Sequence, residues 1–154
     1  MKNIHEKYMK MAINEAEKAA LIDEVPIGCV IVKNEKVIAR GHNLRETKND
    51  PTCHAEIVAI RKASKKLNDW QLVDCDLYVT IEPCIMCSGA IIQSRISKVI
   101  FGSRDPKGGA LVSSINVLEA SNINHKPEVI EGVLKEECSE IVKKYFKNKR
   151  EMNK

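Results

Sequence analysis

Apolar residues recur at positions 4, 8, 11, 12, 16, 19 and 20, one stripe of an amphipathic helix running from Ile4 to Ala20. The period then shortens. Ile27 to Val32 and Val37 to Gly41 are runs of β-forming residues around the polar Lys33-Asn34-Glu35-Lys36, which predicts a hairpin. A polar stretch through Asn49-Asp50-Pro51-Thr52 leads into a helix over roughly 54–66, with Asp50 or Thr52 as its candidate cap. Beyond it the pattern predicts a strand from Leu77 to Ile81, a helix from Cys84 to Ser94 and a strand from Val99 to Gly102. A helix from Ser113 to Ala120, a strand from Glu128 to Ile130 and a long helix from Leu134 to Lys149 complete the chain. A hairpin followed by strand–helix alternation predicts an α/β fold, a mixed five-stranded sheet with helices on both faces in a three-layer α/β/α sandwich. Between Phe101 and Val129 there is room for a helical crossover, so the last two strands are expected to run parallel.

Composition adds bounds. The 154 residues carry no repeat or Gly/Ser linker and are expected to form one domain, 1–154, with a core that needs no disulfides. Apolar residues make up 44% and charged residues 30%, which excludes a disordered chain. Charges run through Met1-Lys2-Asn3-Ile4-His5-Glu6-Lys7, unlike a signal segment. No stretch reaches the roughly 18 consecutive apolar residues of a membrane span. The expected location is therefore the cytoplasm, where six cysteines stay reduced and serve metal binding or chemistry. The net charge of +4 is compatible with an anionic partner and also with none.

Two short segments concentrate the chemistry: His54-Ala55-Glu56 and Pro83-Cys84-Ile85-Met86-Cys87, each at the start of an expected helix. Cysteines at i and i+3 share a helical face and can bind one ion. Pro83 suits a helix entry, and the positive helix N-terminus favours the thiolates that zinc requires. His54, Cys84 and Cys87 make three protein ligands, and three ligands leave one tetrahedral position for water. Glu56, two residues after His54, points about 200° away on a regular helix. It is therefore cast as a proton shuttle and not as a ligand. Two other readings stay open on the residues alone. A redox dithiol would give His54 and Glu56 no role, and a purely structural zinc would take a fourth thiolate from Cys53, Cys29 or Cys75.

His-x-Glu followed by Pro-Cys-x-x-Cys is the established signature of zinc-dependent nucleobase deaminases. The likeness extends through Asp23-Glu24-Val25-Pro26-Ile27-Gly28, Gly41-His42-Asn43, Asn49 to Ile57, Leu77 to Ala90 and Val99 to Gly109. On these residues the chain resembles the bacterial-type tRNA-specific adenosine deaminases, from its first helix to about Arg150. The zinc motif alone marks the superfamily, and Ser94 to Gly109 points to the tRNA branch. The chain departs from the common pattern at Cys29, Cys53 and Val112.

The resemblance implies a cytidine-deaminase-like fold, one Zn²⁺ per subunit and a homodimer. It implies hydrolytic conversion of the wobble adenosine of a tRNA anticodon stem-loop to inosine. Glu56 would carry the proton of the attacking water to ring nitrogen N1 and then protonate the leaving amine. Asn43 would hydrogen-bond the flipped-out nucleotide, the backbone of Ala55 would read the base edge, and Val25, Pro26 and Ile27 would wall the pocket. From the residues alone, Asn43 reads more readily as a strand-end turn residue. The basic stretch 143–154 is compatible with phosphate contacts and base stacking, and also with an ordinary solvated helix end. With the resemblance, Lys143, Lys144, Tyr145, Phe146, Lys147, Lys149 and Arg150 become RNA contacts, as do Arg104, Asp105 and Lys107 in a loop after a strand. The competing readings are a free-base or nucleoside deaminase acting on guanine or cytosine, and a zinc-stabilised RNA-binding module.

Overall fold

The computed structural model describes residues 2–153, so Met1 and Lys154, the ends of the expected domain and basic tail, lie outside the described residues. Helix α1 (Lys2–Leu21) leads into a hairpin of β1 (Gly28–Lys33) and β2 (Lys36–His42). Asn34 and Glu35 both take positive φ, 51° and 63°, which is what a two-residue turn needs to match the twist of its strands. Then come α2 (Ala55–Leu67), β3 (Cys75–Ile81), α3 (Ile85–Gln93), β4 (Lys98–Ser103), β5 (Glu128–Glu131) and α4 (Lys135–Met152).

The sheet order is β2-β1-β3-β4-β5. The β2/β1 and β1/β3 pairs are antiparallel, and the β3/β4 and β4/β5 pairs are parallel. Side chains alternate along each strand. Cys29, Ile31, Leu77, Val79, Val99 and Phe101 face one way, onto Ala55, Ala59 and Ala63 of α2 and Ile91 of α3. Val30, Val32, Tyr78 and Ile100 face the other way, onto Tyr8, Met9 and Ala12 of α1 and Cys138 of α4. Both faces of the sheet are covered, the expected three layers. Small residues let the helices sit close. A methyl group on Gly41 would come 2.6 Å from the Ala55 carbonyl oxygen, so only glycine lets the start of α2 press on β2. Among the described residues, no helix is long and apolar enough to cross a membrane.

Three local expectations are corrected. Neither Asp50 nor Thr52 caps α2. The N-cap is His54, which makes no side-chain cap bond, while Asp50 Oδ1 accepts from Thr52 N at 2.9 Å and Thr52 Oγ1 at 2.7 Å in a turn of its own. Cys84 likewise stands just before α3, in extended conformation, as its N-cap. The helix expected over Ser113–Ala120 shrinks to a 3₁₀ turn, Val117–Glu119, so the parallel crossover from β4 to β5 is mostly loop. Donors within the stretch bond elsewhere, with Val117 N going to the Ala110 carbonyl instead of the Ser113 carbonyl four residues back. The N–H groups of Leu111, Val112 and Ser113 bind the Glu82 carboxylate, and the Asn116 side chain takes that of Leu118.

Candidate active site

The starts of α2 and α3 meet at one point. His54 (φ −76°, ψ 159°) and Cys84 (φ −74°, ψ 179°) are both extended N-cap residues, and their carbonyls accept from Val58 N and Ser88 N. Two positive helix ends therefore face the same place. His54 Nδ1 lies 3.6 Å from Cys84 Sγ and 3.7 Å from Cys87 Sγ, and the three donor atoms lie within 4.8 Å of one another. Ligands at about 2.0 Å (nitrogen) and about 2.3 Å (sulfur) on a tetrahedral ion stand about 3.6 Å apart, so this set fits a zinc ion without rearrangement. A hydrogen bond from Cys87 holds the Cys84 thiol down at about 4 against the effect of burial, and His54 adds to the lowering. The same contact with Cys84 raises His54, and with burial it raises Cys87. Cys84 is thus the sulfur predisposed to be negative.

Glu56, second residue of α2, is 4% exposed. Burial pushes its carboxyl up to about 7, opposed by its own backbone N–H and assisted by the charge of Cys84. A carboxyl poised near neutrality gains and loses a proton readily, which suits a shuttle.

Cys53, the candidate fourth ligand, turns elsewhere. Its Sγ donates to Asp50 Oδ2 at 3.5 Å and accepts from Arg61 Nη1 at 3.8 Å. Cys29 is fully buried in the sheet, and Cys75 Sγ points at the Val73 carbonyl. Among the described residues, none of these three joins the His54–Cys84–Cys87 group. Cys53→Ser is accordingly expected to leave one zinc per chain and unchanged turnover, read by metal analysis and initial rates. Lost zinc would place a third thiolate at the metal.

The surrounding wall is assembled by backbone bonds. Asn43 lies just beyond β2 and is 6% exposed. Its Nδ2 donates to the Val25 carbonyl at 3.3 Å and its Oδ1 accepts from Arg45 N at 3.1 Å. Asn43 therefore does act as a turn residue, yet one amide hydrogen and one lone pair stay available for a ligand. Pro26 and Ala55 are buried, while Val25 and Ile27 are half-buried. Two clefts of about 520 and 420 Å³ share Val25 and Phe146 in their linings. The first adds Arg45 and Thr47, the second Ile27, Arg104, Asp105 and Lys143. The second cleft thus brings Val25 and Ile27 together with Arg104, Asp105, Lys143 and Phe146, while Pro26, Lys107, Asn43, Glu56 and the His54–Cys84–Cys87 group line neither cleft.

The basic residues differ in how free they are. Arg104 is clamped to Glu131 by two bonds, at 2.7 and 3.1 Å, and Lys149 is paired with Asp23 at 2.6 Å. The Tyr145 hydroxyl donates to Asp23 Oδ1 at 3.0 Å. Lys107, Lys143, Lys144, Lys147 and Arg150 are exposed, and Phe146 is 42% exposed.

A family model, MafB19-like deaminase, matches residues 3–150. The tRNA-specific adenosine deaminase of Bacillus subtilis (strain 168) is 49% identical over 149 residues, which is 97% of this chain and 92% of that protein. The chain belongs to the tRNA-specific adenosine deaminase family. A structure solved in a study of A-to-I editing by tRNA:A34 deaminases at the wobble position superimposes with a TM-score of 0.86 at 44% identity, covering 88% of this chain and 98% of that one. A guanine deaminase from Bacillus subtilis is also similar, with a TM-score of 0.62 at 36% identity over 76% of this chain and 85% of that one.

Two buried carboxylates of this deaminase escaped the sequence reading. Glu24, 1% exposed, accepts from Glu46 N at 3.1 Å and Thr47 N at 2.6 Å, and so ties the loop after β2 to the segment before β1. Glu82, 3% exposed, does the same for the loop after β4. The available signal was a charged residue set against apolar or metal-ligating neighbours, in Glu24-Val25-Pro26 and Ile81-Glu82-Pro83-Cys84. Burial tends to raise the Glu24 carboxyl, but hydrogen bonds from Thr47 and Glu46 outweigh it and hold it below its usual 4.5. A carboxylate depressed in the folded state contributes stability that is complete above its unfolded value and lost as pH falls through the folded one. Glu24→Gln is therefore expected to cost about 1–3 kcal/mol at neutral pH and to flatten the loss of stability below about pH 4.5. Urea unfolding midpoints of both proteins between about pH 7 and pH 3 check it.

Proposed function

We propose that the chain is a zinc-dependent hydrolytic deaminase that converts the wobble adenosine of a tRNA anticodon to inosine and releases ammonia, working as a cytoplasmic homodimer. The observation that carries the chemistry is a three-donor group with no fourth protein donor among the described residues, beside a buried carboxyl held near neutrality. The near full-length relationship to tRNA-specific adenosine deaminases carries the substrate.

Zinc held by His54, Cys84 and Cys87 would supply the Lewis acidity that makes water nucleophilic near neutral pH. The chain's own residues do the rest. Glu56 takes one proton from the attacking water and delivers it to N1 of the adenine as the oxygen bonds to C6. It then passes the remaining water proton to the exocyclic nitrogen, the C6–N bond breaks, and ammonia leaves with inosine as the product. Ala55 is the first residue of α2, where a backbone N–H has no intrahelical acceptor, so it is free to donate to the base edge. Asn43 holds the flipped-out nucleotide with its spare amide hydrogen, and Val25, Pro26 and Ile27 exclude water from the base.

The exposed Lys107, Lys143, Lys144, Lys147 and Arg150 meet phosphates, and Phe146 offers a stacking face. Arg104 and Lys149 join them by exchanging their exposed carboxylate partners for phosphate, since exposed ion pairs are worth only about 0–1 kcal/mol. Tyr145 and Asp105 shape the same surface.

The similarity to a guanine deaminase favours a second reading, turnover of a free base. Separate incubation with an anticodon stem-loop bearing a wobble adenosine, and with guanine, cytosine, cytidine and adenosine, decides between them. The expected outcome is inosine in the RNA, with binding that weakens as salt rises. Turnover of a free base with no inosine in the RNA would overturn the assignment.

A further inference from the structure

The Glu82 carboxylate lies between the last residue of β3 and the Pro83-Cys84 turn, 3% exposed. It collects five donors from one loop. Oε1 accepts from Asp105 N at 3.1 Å and from the Ser113 hydroxyl. Oε2 accepts from Leu111 N at 3.1 Å, Val112 N at 2.7 Å and Ser113 N at 2.9 Å. Among the described residues no lysine or arginine is bonded to it, so its charge is met by backbone dipoles arranged as an anion nest. A methyl group on Gly109 would fall inside the Glu82 carboxylate, so the loop closes on this group as a lock on a key.

The same stretch is joined to the metal-ligating turn by two further bonds, Glu82 N to the Ser103 carbonyl at 2.9 Å and Ala110 N to the Pro83 carbonyl at 2.9 Å. The loop's outer part, Arg104-Asp105-Pro106, lines the 420 Å³ cleft with Val25, Lys143 and Phe146. One side chain therefore sets how far this cleft wall stands from Cys84, two residues on in sequence.

We infer that Glu82 is a positioning residue, which holds the Asp105 loop in register with the metal-ligating turn and so keeps the surface that binds the extended RNA in place beside the site. This rests on the loop being part of the RNA surface, as proposed above. Glu82 touches neither the substrate nor the metal. Its loss is expected to act on binding of the extended RNA and to leave the chemical step in place. A merely structural role would lower stability and active fraction without changing KM.

The test compares wild type, Glu82→Gln, Gly109→Ala and Ser113→Ala as zinc-loaded full chains. It reads zinc content, KM and kcat on a wobble-adenosine stem-loop, and hydrogen exchange of residues 104–114. Glu82→Gln retains the shape but turns an amide NH₂ toward backbone donors. It is expected to raise KM by 10-fold or more, to change kcat less than threefold, to keep one zinc, and to speed exchange in 104–114. Gly109→Ala leaves the carboxylate in place but forces the loop off it, and is expected to give the same signature. Ser113→Ala removes one of five donors and is expected to give a smaller KM increase, which keeps the test decisive if Glu82→Gln fails to fold. An unchanged KM in the variants that fold, or a fall in kcat alone, overturns the inference. A wild-type enzyme that makes no inosine in the stem-loop would instead overturn the substrate reading.

Discussion

Glu56→Ala is expected to abolish inosine formation while one zinc per chain and the fold remain. In the proposed reaction the carboxyl serves two proton transfers, one to N1 and one to the leaving amine, so its removal is expected to cost about 10⁴-fold in turnover, the upper end for a general acid–base group. Three features make the loss selective. Glu56 stands outside the His54–Cys84–Cys87 donor set, so the metal keeps all its ligands. It is buried against its own preference for water, since burial raises its carboxyl to about 7, and its removal therefore relieves a desolvation cost. It sits in the first turn of α2, where alanine is a good helix former. Glu56→Gln, which keeps the size and loses the proton transfer, is expected to be equally inactive. Metal analysis, melting temperature and single-turnover rates separate the three properties. Full activity in either variant would remove the shuttle from the mechanism.

Cys87→Ser is expected to lose both the metal and the activity, and to lower the melting temperature. Cys87 is fully buried on the first turn of α3, and a serine hydroxyl there cannot replace a thiolate toward zinc. The two helix starts at this point, Cys84 with its lowered thiol and His54, would face each other with only two donors. An ion that binds only the folded chain stabilises it by mass action, by about 4 kcal/mol when its free concentration is 1,000 times its dissociation constant. Wild type treated with a chelator should fall to the same melting temperature as the variant, and added zinc should restore wild type alone. A Cys87→Ser protein with one tightly held zinc would show that the donor set has been misassigned.

Much of this site was legible because its chemistry is local in sequence. Cys84 and Cys87 are three residues apart at a helix start marked by Pro83, and His54 and Glu56 stand at another. The hairpin followed by strand–helix alternation predicted a sheet covered on both faces, as found. What was not legible depends on partners far apart in sequence. The helix expected over Ser113–Ala120 has a suitable pattern, but Glu82, some thirty residues earlier, fixes the course of 111–113, and within the stretch Val117 N bonds the Ala110 carbonyl and Leu118 N the Asn116 side chain instead of the carbonyls four residues back. The direction of Cys53 follows from Asp50 and Arg61, and no spacing rule gives it. The cap of α2 was misplaced for a related reason, since a residue chosen to face a metal sits where a capping side chain otherwise would. Arg104 and Lys149 read as free cations until Glu131 and Asp23 are brought beside them.

The proposed reaction joins a metal group, a proton shuttle and one nucleotide. It is tested most directly by digesting a reacted anticodon stem-loop, locating inosine by mass spectrometry and measuring the ammonia released in the same reaction. Inosine is expected at the wobble position alone, with one ammonia per inosine, and neither is expected from the zinc-loaded Glu56→Ala protein. Inosine spread over other loop adenosines, or none while guanine is deaminated, would contradict it.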